Sequence, residues 1–175
     1  MRHAEEVRGD LIATPMGTLL ALVDKGGALL RLDFLADAQP APTTWQGYAW
    51  RRDEQALVPV RQQLEEYFAG RRRQFELPLA PCGTAYQQLA WSYLRQVPYG
   101  VTLSYAELAA RLPQRTSARA IGRANALNPI AIVVPCHRII GADGTLTGYA
   151  GGLPRKQALL ELEGVLTGPR QGSLL

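Results

Sequence analysis

The chain has 175 residues, 47% of them hydrophobic, and a net charge of +4, enough for one generous globular domain or two small units. It holds no run of eighteen apolar residues, and its opening "MRHAEEVRGD" lacks the apolar core of a secretory signal; we read a cytosolic protein with no membrane partner. Two cysteines (Cys82, Cys136) and two histidines (His3, His137) stand in no finger or ribbon spacing, so neither a disulfide framework nor a metal site is expected.

In chain order, "TLLALVD" (18–24) and "ALLRLDFL" (28–35) flank "KGG", which predicts a hairpin with glycines at its turn. "QPAPTTWQG" (39–47) is a proline-rich loop. Val60, Leu64, Tyr67 and Phe68 fall at i, i+4, i+7 and i+8, an amphipathic helix stopped at Gly70. "RRR" at 71–73 follows as a solvated helix end. "LPLAPCG" (77–83) reads as a linker, which places a boundary between an N-terminal unit, 1–80, and a C-terminal unit, 81–175. Thr84 with Gln87 makes a capping box, and Leu89, Ala90, Tyr93, Leu94 and Val97 form the buried stripe of the helix it opens.

In "LSYAELAARL" (103–112), Tyr105, Leu108, Ala109 and Leu112 are spaced i, i+3, i+4, i+7. After "PQRT", a second helix in "SARAIGRANALNP" (117–129) can be capped by Ser117 and is closed by Asn128-Pro129. Two short helices with a polar connection form a helix-turn-helix pattern, the second being the candidate recognition helix. Ala118, Ala120, Gly122, Ala124 and Ala126, with Arg119 and Arg123, give that helix a small-residue surface. Such a surface suits a minor groove or close packing against a neighbour, and the pattern alone does not choose. Charge adds a local signal: between Leu108 and Ala142 there are five arginines (Arg111, Arg115, Arg119, Arg123, Arg138) and no Asp or Glu. A nucleic-acid-facing surface has that imbalance.

"IAIVV" (130–134) reads as a fully buried strand that ends at Pro135, so Cys136 should sit where a short strand emerges into a pocket. "GADGTLTGYAGG" (141–152) has five glycines in twelve residues, a loop whose backbone can approach a ligand. Pro154 opens a last helix that Gly164 ends. A cysteine outside a disulfide is by default an inert core thiol, but an adjacent imidazole, a nearby arginine and a strand stop favour a reactive thiolate. In a plain strand neighbouring side chains point to opposite faces, so Cys136 and His137 cooperate only through a turn or a bridging water. The acidic third member must come from elsewhere, and Glu161 and Glu163 are both candidates.

"NPIAIVVPCHRIIGADGTLTGYAGGLPRKQALLELEG" (128–164) closely resembles the active-site segment of the O6-alkylguanine-DNA alkyltransferases, compact bacterial type. "GTAYQQLAWSYLRQVPYGVTLSYAELAARL" (83–112) and "SARAIGRANALNP" resemble the helical region of the same family. The resemblance implies an α/β (α+β) fold: a small N-terminal mixed α/β subdomain, then a mainly helical subdomain with a helix-turn-helix and a short strand leading into the Pro-Cys-His-Arg turn. It further implies a DNA repair protein that extrudes O6-alkylguanine from double-stranded DNA and keeps the alkyl group on Cys136, once per molecule and without a cofactor. O4-alkylthymine stays open as a second substrate.

By the same resemblance Cys136 is the nucleophile, His137 activates it through a water, and Glu163 completes the relay. Asn128 hinges the recognition helix to the active-site turn, Tyr105 presses on the 3′ phosphate, and Arg119 fills the space of the extruded nucleotide. Ser117, Ala118, Ala120, Arg123 and Ala126 face the minor groove with little sequence preference. Tyr149, Ala150, Gly151, Val134, Pro135, Ile139 and Lys156 surround the base. A nucleoid-associated monomer is expected, with cooperative clustering on DNA left open. Tyr86, where many relatives have phenylalanine, and Ala150, where some have serine, depart from the pattern. A lesion binder without chemistry would lack the cysteine, and a cysteine hydrolase would leave the arginine-rich helix pair unexplained.

Overall fold

The computed structural model describes residues 7–36 and 40–165; His3 and the tail after Val165 lie outside them. The chain divides after Cys82 into two compact units. Among the described residues no helix is long and apolar enough to cross a membrane.

In the N-terminal unit, β1 (Arg8–Thr14), β2 (Gly17–Val23) and β3 (Leu29–Phe34) run antiparallel in sequence. The expected hairpin is β2–β3, its turn held by Asp24, whose side chain accepts the amides of Gly26 at 3.0 Å and Ala28 at 2.9 Å. β1 was not foreseen, because a charged residue, Asp10, occupies an inward position between Arg8 and Ile12 and hides the alternation. Two short strands, β4 (Thr44–Trp45) and β5 (Tyr48–Ala49), pair with each other. β6 (Arg51–Arg52) pairs parallel with the start of β1, giving the sheet order β3-β2-β1-β6. A 3-10 turn, Gln55–Leu57, leads into α1 (Val58–Phe68), which buries Val60, Leu64 and Tyr67 as its spacing predicts. Arg72 of the "RRR" cluster turns back to Glu66, Nε to Oε1 2.8 Å. The segment 77–83 is more than a linker. Leu29 donates to the Pro78 carbonyl and Ala80 to the Leu29 carbonyl, both at 2.8 Å, so Leu79 is bridged to the outer edge of β3.

The C-terminal unit opens with α2 (Ala85–Leu94), capped reciprocally by Thr84 and Gln87. Its buried face holds Ala90, Trp91 and Leu94, with Val97 just beyond; Leu89 and Tyr93 are half-buried. Trp91 is the member the spacing missed, and its indole donates to the Ala124 carbonyl at 2.8 Å. Gly83 lies so near that ring that an added Cβ would stand 2.5 Å from it, which only glycine avoids. β7 (Leu103–Ser104) runs straight into α3 (Tyr105–Arg111), started by a second capping box between Ser104 and Glu107. α4 (Ala118–Ala126) begins at Ser117, whose hydroxyl accepts the Ala120 amide at 3.0 Å. Between them Tyr86 and Thr116 join hydroxyls at 2.6 Å, which gives the departure from phenylalanine a use in fixing the turn.

The expected strand over 130–134 does not form. Ile130 to Val134 are a turn, with Val134 donating to the Ile130 carbonyl at 3.0 Å and Ile132 at a φ of 71°. A run of buried apolar residues looks the same in either geometry, and here the chain reverses inside it. The strand comes after the cysteine instead: β8 (Ile139–Ile140) pairs parallel with β7. α5 (Leu153–Leu162) closes the unit, with Pro154 in its first turn.

Candidate active site

The approach to Cys136 is a strained turn pinned by one side chain. A β-branched residue in the left-handed region costs of order 1–3 kcal/mol and persists only where its surroundings over-determine it. Asn128 supplies that: Nδ2 donates to the Val134 carbonyl at 2.8 Å and the Ile130 carbonyl at 3.3 Å, while Oδ1 accepts the Ile130 amide at 3.0 Å. After Pro135 the chain makes a 3-10 turn over Cys136–Arg138. Three residues per turn set successive side chains roughly 120° apart, so Cys136, His137 and Arg138 point three ways from one short, buried stretch.

Two of those directions converge on one carboxylate. His137 Nε2 lies 2.7 Å from Glu163 Oε2. Arg138 makes a fork, Nε to Oε1 at 2.8 Å and Nη2 to Oε2 at 3.0 Å, and its Nη1 donates to the Val97 carbonyl at 2.7 Å. Glu161, the other candidate, is exposed and bonded to Gln157, and it is Glu163 that meets His137. Burial by itself would push the Glu163 carboxyl up, but the hydrogen bonds from His137 and Arg138 outweigh it and hold the group well below the ordinary carboxylate range. Burial pushes the His137 imidazole down from its usual value, and the hydrogen bond to Glu163 only partly opposes this. A neutral ring facing an ionised carboxylate donates from Nε2, which leaves the lone pair on Nδ1. Nδ1 is buried and has no hydrogen-bond partner among the described residues. An imidazole lone pair so placed can act as a general base, directly or through a water.

Around the thiol, Lys156 is fully buried, its ammonium donating to the carbonyls of Ile139 (2.6 Å), Thr147 (2.8 Å) and Gly148 (3.2 Å). Burial lowers its pKa to about 8, against the charge of a Cys136 thiolate, which raises it. The Tyr149 hydroxyl is buried without a hydrogen-bond partner among the described residues, and burial, seconded by the Cys136 charge, raises its pKa well above 10. Both groups therefore feel the sulfur. Val134, Pro135 and Ile139 are buried here, Gly151 is half-buried and Ala150 exposed.

On α4, Ser117, Ala118, Arg119, Arg123 and Ala126 are exposed and Ala120 is half-buried, while Ile121, Ala124 and Asn125 face inward. The inward face packs closely within the unit, and the small residues of the outer face are open to solvent. Tyr105 is half-buried, its hydroxyl bonded to Thr147 at 3.1 Å. Two residues of the site were not assigned from sequence. Arg138 is turned to Glu163 rather than to the thiol, and Asn125 donates from Nδ2 to the Cys136 carbonyl at 3.3 Å. An asparagine on the apolar stripe of Ile121 and Ala124 was the available signal for the second.

A helix-turn-helix unit carrying a buried cysteine, a neutral imidazole and an ionised carboxylate has the make-up of a cysteine-centred group-transfer protein. Comparison with known proteins narrows this. The family model for the 6-O-methylguanine DNA methyltransferase DNA binding domain matches residues 85–165, and that for the ribonuclease-like domain of the same family matches residues 7–81. Similar proteins are the methylated-DNA–protein-cysteine methyltransferases of Mycobacterium tuberculosis H37Rv (46% identical over 153 residues, 87% of this chain and 89% of the relative) and Methanosarcina acetivorans (42% over 154 residues, 88% and 96%). A crystal structure of Mycobacterium tuberculosis OGT in complex with DNA superposes with a TM-score of 0.80 at 43% identity, covering 90% of this chain and 93% of that one. The chain belongs to the 6-O-methylguanine DNA methyltransferase family.

Proposed function

We infer that the protein is a DNA repair enzyme that moves an alkyl group from the O6 atom of guanine in DNA to one of its own cysteines. The observation that carries the site assignment is the buried turn that sets Cys136 beside an imidazole whose Nε2 is bound to Glu163 and whose Nδ1 is left open. In our reading His137 Nδ1 takes the thiol proton through a water, and Glu163, fixed by the Arg138 fork, keeps the ring in the tautomer that allows it. The thiolate attacks the alkyl carbon: a C–S bond forms, the C–O6 bond breaks with its electron pair going to guanine, and guanine takes up a proton. A thioether is a poor leaving group, so each molecule reacts once. The buried ammonium of Lys156 favours the thiolate electrostatically.

The target atom lies inside the base stack, so the nucleotide must rotate out, at a cost of a few kcal/mol. Exposed Arg119 on α4 fills the gap, Tyr105 presses on the adjacent phosphate, and the small residues Ser117, Ala118, Ala120 and Ala126 let α4 approach the minor groove, with Arg123 on the backbone. Asn128 transmits the position of α4 to the cysteine turn. Tyr149, Ala150 and Gly151, with Val134, Pro135, Ile139 and Lys156, enclose the base. The N-terminal unit supports this machinery, and the protein acts as a monomer in the cytoplasm, at the nucleoid. The test is a time course of O6-methylguanine loss from a duplex at several protein concentrations. One lesion repaired per molecule, slower at raised salt, is the expected result; continued turnover contradicts it.

A further inference from the structure

Thr147 has no role in the reading above, yet its two polar groups meet the side chain which that reading places on a phosphate. The Tyr105 hydroxyl donates to the Thr147 carbonyl at 3.1 Å, and the Thr147 hydroxyl donates back to the Tyr105 oxygen at 3.0 Å. From the buried side, the Lys156 ammonium donates to the same Thr147 carbonyl at 2.8 Å while holding Gly148 and Ile139. A carbonyl oxygen has two lone pairs and can take both donors. The phenol ring is set by the helices: Tyr105 is the first residue of α3 and lies beside Gly122 of α4, where an added Cβ would stand 3.6 Å from the ring. One loop residue therefore joins Tyr105 to the loop that carries Tyr149 and, through Lys156, to the strand that follows the cysteine turn.

We propose that Thr147 is a positioning residue for alkyl transfer, its hydroxyl coupling Tyr105 to the loop around the base pocket. The proposal rests on Tyr105 contacting the DNA backbone. A phosphate oxygen only accepts hydrogen bonds, and a phenol has a single proton to donate. When Tyr105 donates to phosphate it must release the Thr147 carbonyl, but its oxygen still accepts from the Thr147 hydroxyl. Phosphate binding thus exchanges one bond and keeps the other. The retained bond holds the loop to Tyr105 while the nucleotide rotates.

The experiment measures single-turnover methyl transfer from a saturating O6-methylguanine duplex, together with duplex affinity, for Thr147→Val, Thr147→Ser, Tyr105→Phe and the Thr147→Val/Tyr105→Phe double variant. Valine keeps the shape and removes the hydroxyl; Thr147 is exposed, so the fold is expected to survive. Thr147→Val should slow transfer roughly three- to tenfold, the range of one hydrogen bond, with duplex affinity unchanged and serine restoring the rate. In the Tyr105→Phe background Thr147→Val should add nothing, because its effect passes through that hydroxyl. A Thr147→Val rate equal to wild type overturns the coupling, and so do additive losses or a failure of serine to rescue. Wild type that leaves the duplex methylated overturns the functional reading itself, and the coupling with it.

Discussion

Among the described residues each unit buries one carboxylate beside an arginine, and the two sit in different company. In the N-terminal sheet Asp10, 1% exposed, pairs with Arg52 and Arg61, whose side chains are 64% and 29% exposed, and takes the Leu11 amide at 2.8 Å. In the C-terminal unit Glu163, 5% exposed, pairs with Arg138 and His137, which are as buried as itself. A buried charge must be compensated in both places. The partners of Asp10 can return to water if it is lost. Those of Glu163 cannot, and one is an imidazole next to a thiol. The same electrostatic requirement yields a structural clip in one unit and, in the proposed mechanism, an acid–base relay in the other.

The difference should show first in stability. Glu163→Gln strands the buried Arg138 and should cost about 3–5 kcal/mol in denaturant unfolding, whereas Asp10→Asn should cost about 1.5–3 kcal/mol, as for a hydrogen bond to a charged group. Equal costs would break the comparison. Asn128→Ala removes the bonds that hold the strained turn and should cost about 1–3 kcal/mol, with transfer slowed even in the molecules that remain folded.

The pH dependence sharpens the contrast. Glu163 is ionised in the fold well below its unfolded range, so its contribution is present above pH of about 4.3 and is lost as pH falls. His137 is kept neutral in the fold, so the unfolded chain binds its proton first as pH drops through about 6.5, and stability again falls. Both act in the acid direction. The melting temperature should decline from pH 7 to pH 2, and Glu163→Gln should flatten the part of that decline below a pH of about 4.3. The smallest effect belongs to Arg119→Ala: exposed, it should leave stability within about 0.5 kcal/mol, while repair of duplex DNA drops sharply and reaction with O6-methylguanine nucleoside does not.

Much of this was legible where local chemistry is self-contained. The hairpin over residues 18–35, the Thr84 cap, the helix of Val60, Leu64 and Tyr67, and the Ser117 cap all follow from short-range rules. What was hidden depends on distant partners. β1 is obscured because Asp10 belongs in the sheet only once Arg52 and Arg61 are there to receive it. The 130–134 turn reads as a strand because Asn128, which bends it, lies outside the apolar run. The choice between Glu161 and Glu163 could not be made from residues alone, since it depends on how α5 ends relative to the 3-10 turn; the family resemblance supplied it. Asn125 and Thr147 were passed over for a similar reason, their bonds reaching the Cys136 carbonyl and the Tyr105 hydroxyl across the unit.

The most direct test of the central claim is the intact mass of the protein after incubation with a duplex containing O6-methylguanine, for wild type and Cys136→Ala. The account predicts one added methyl group per wild-type molecule, located on Cys136 by peptide mapping, and no change in the variant. Tight binding with no gain in mass, or a methyl group found on Cys82, would contradict it.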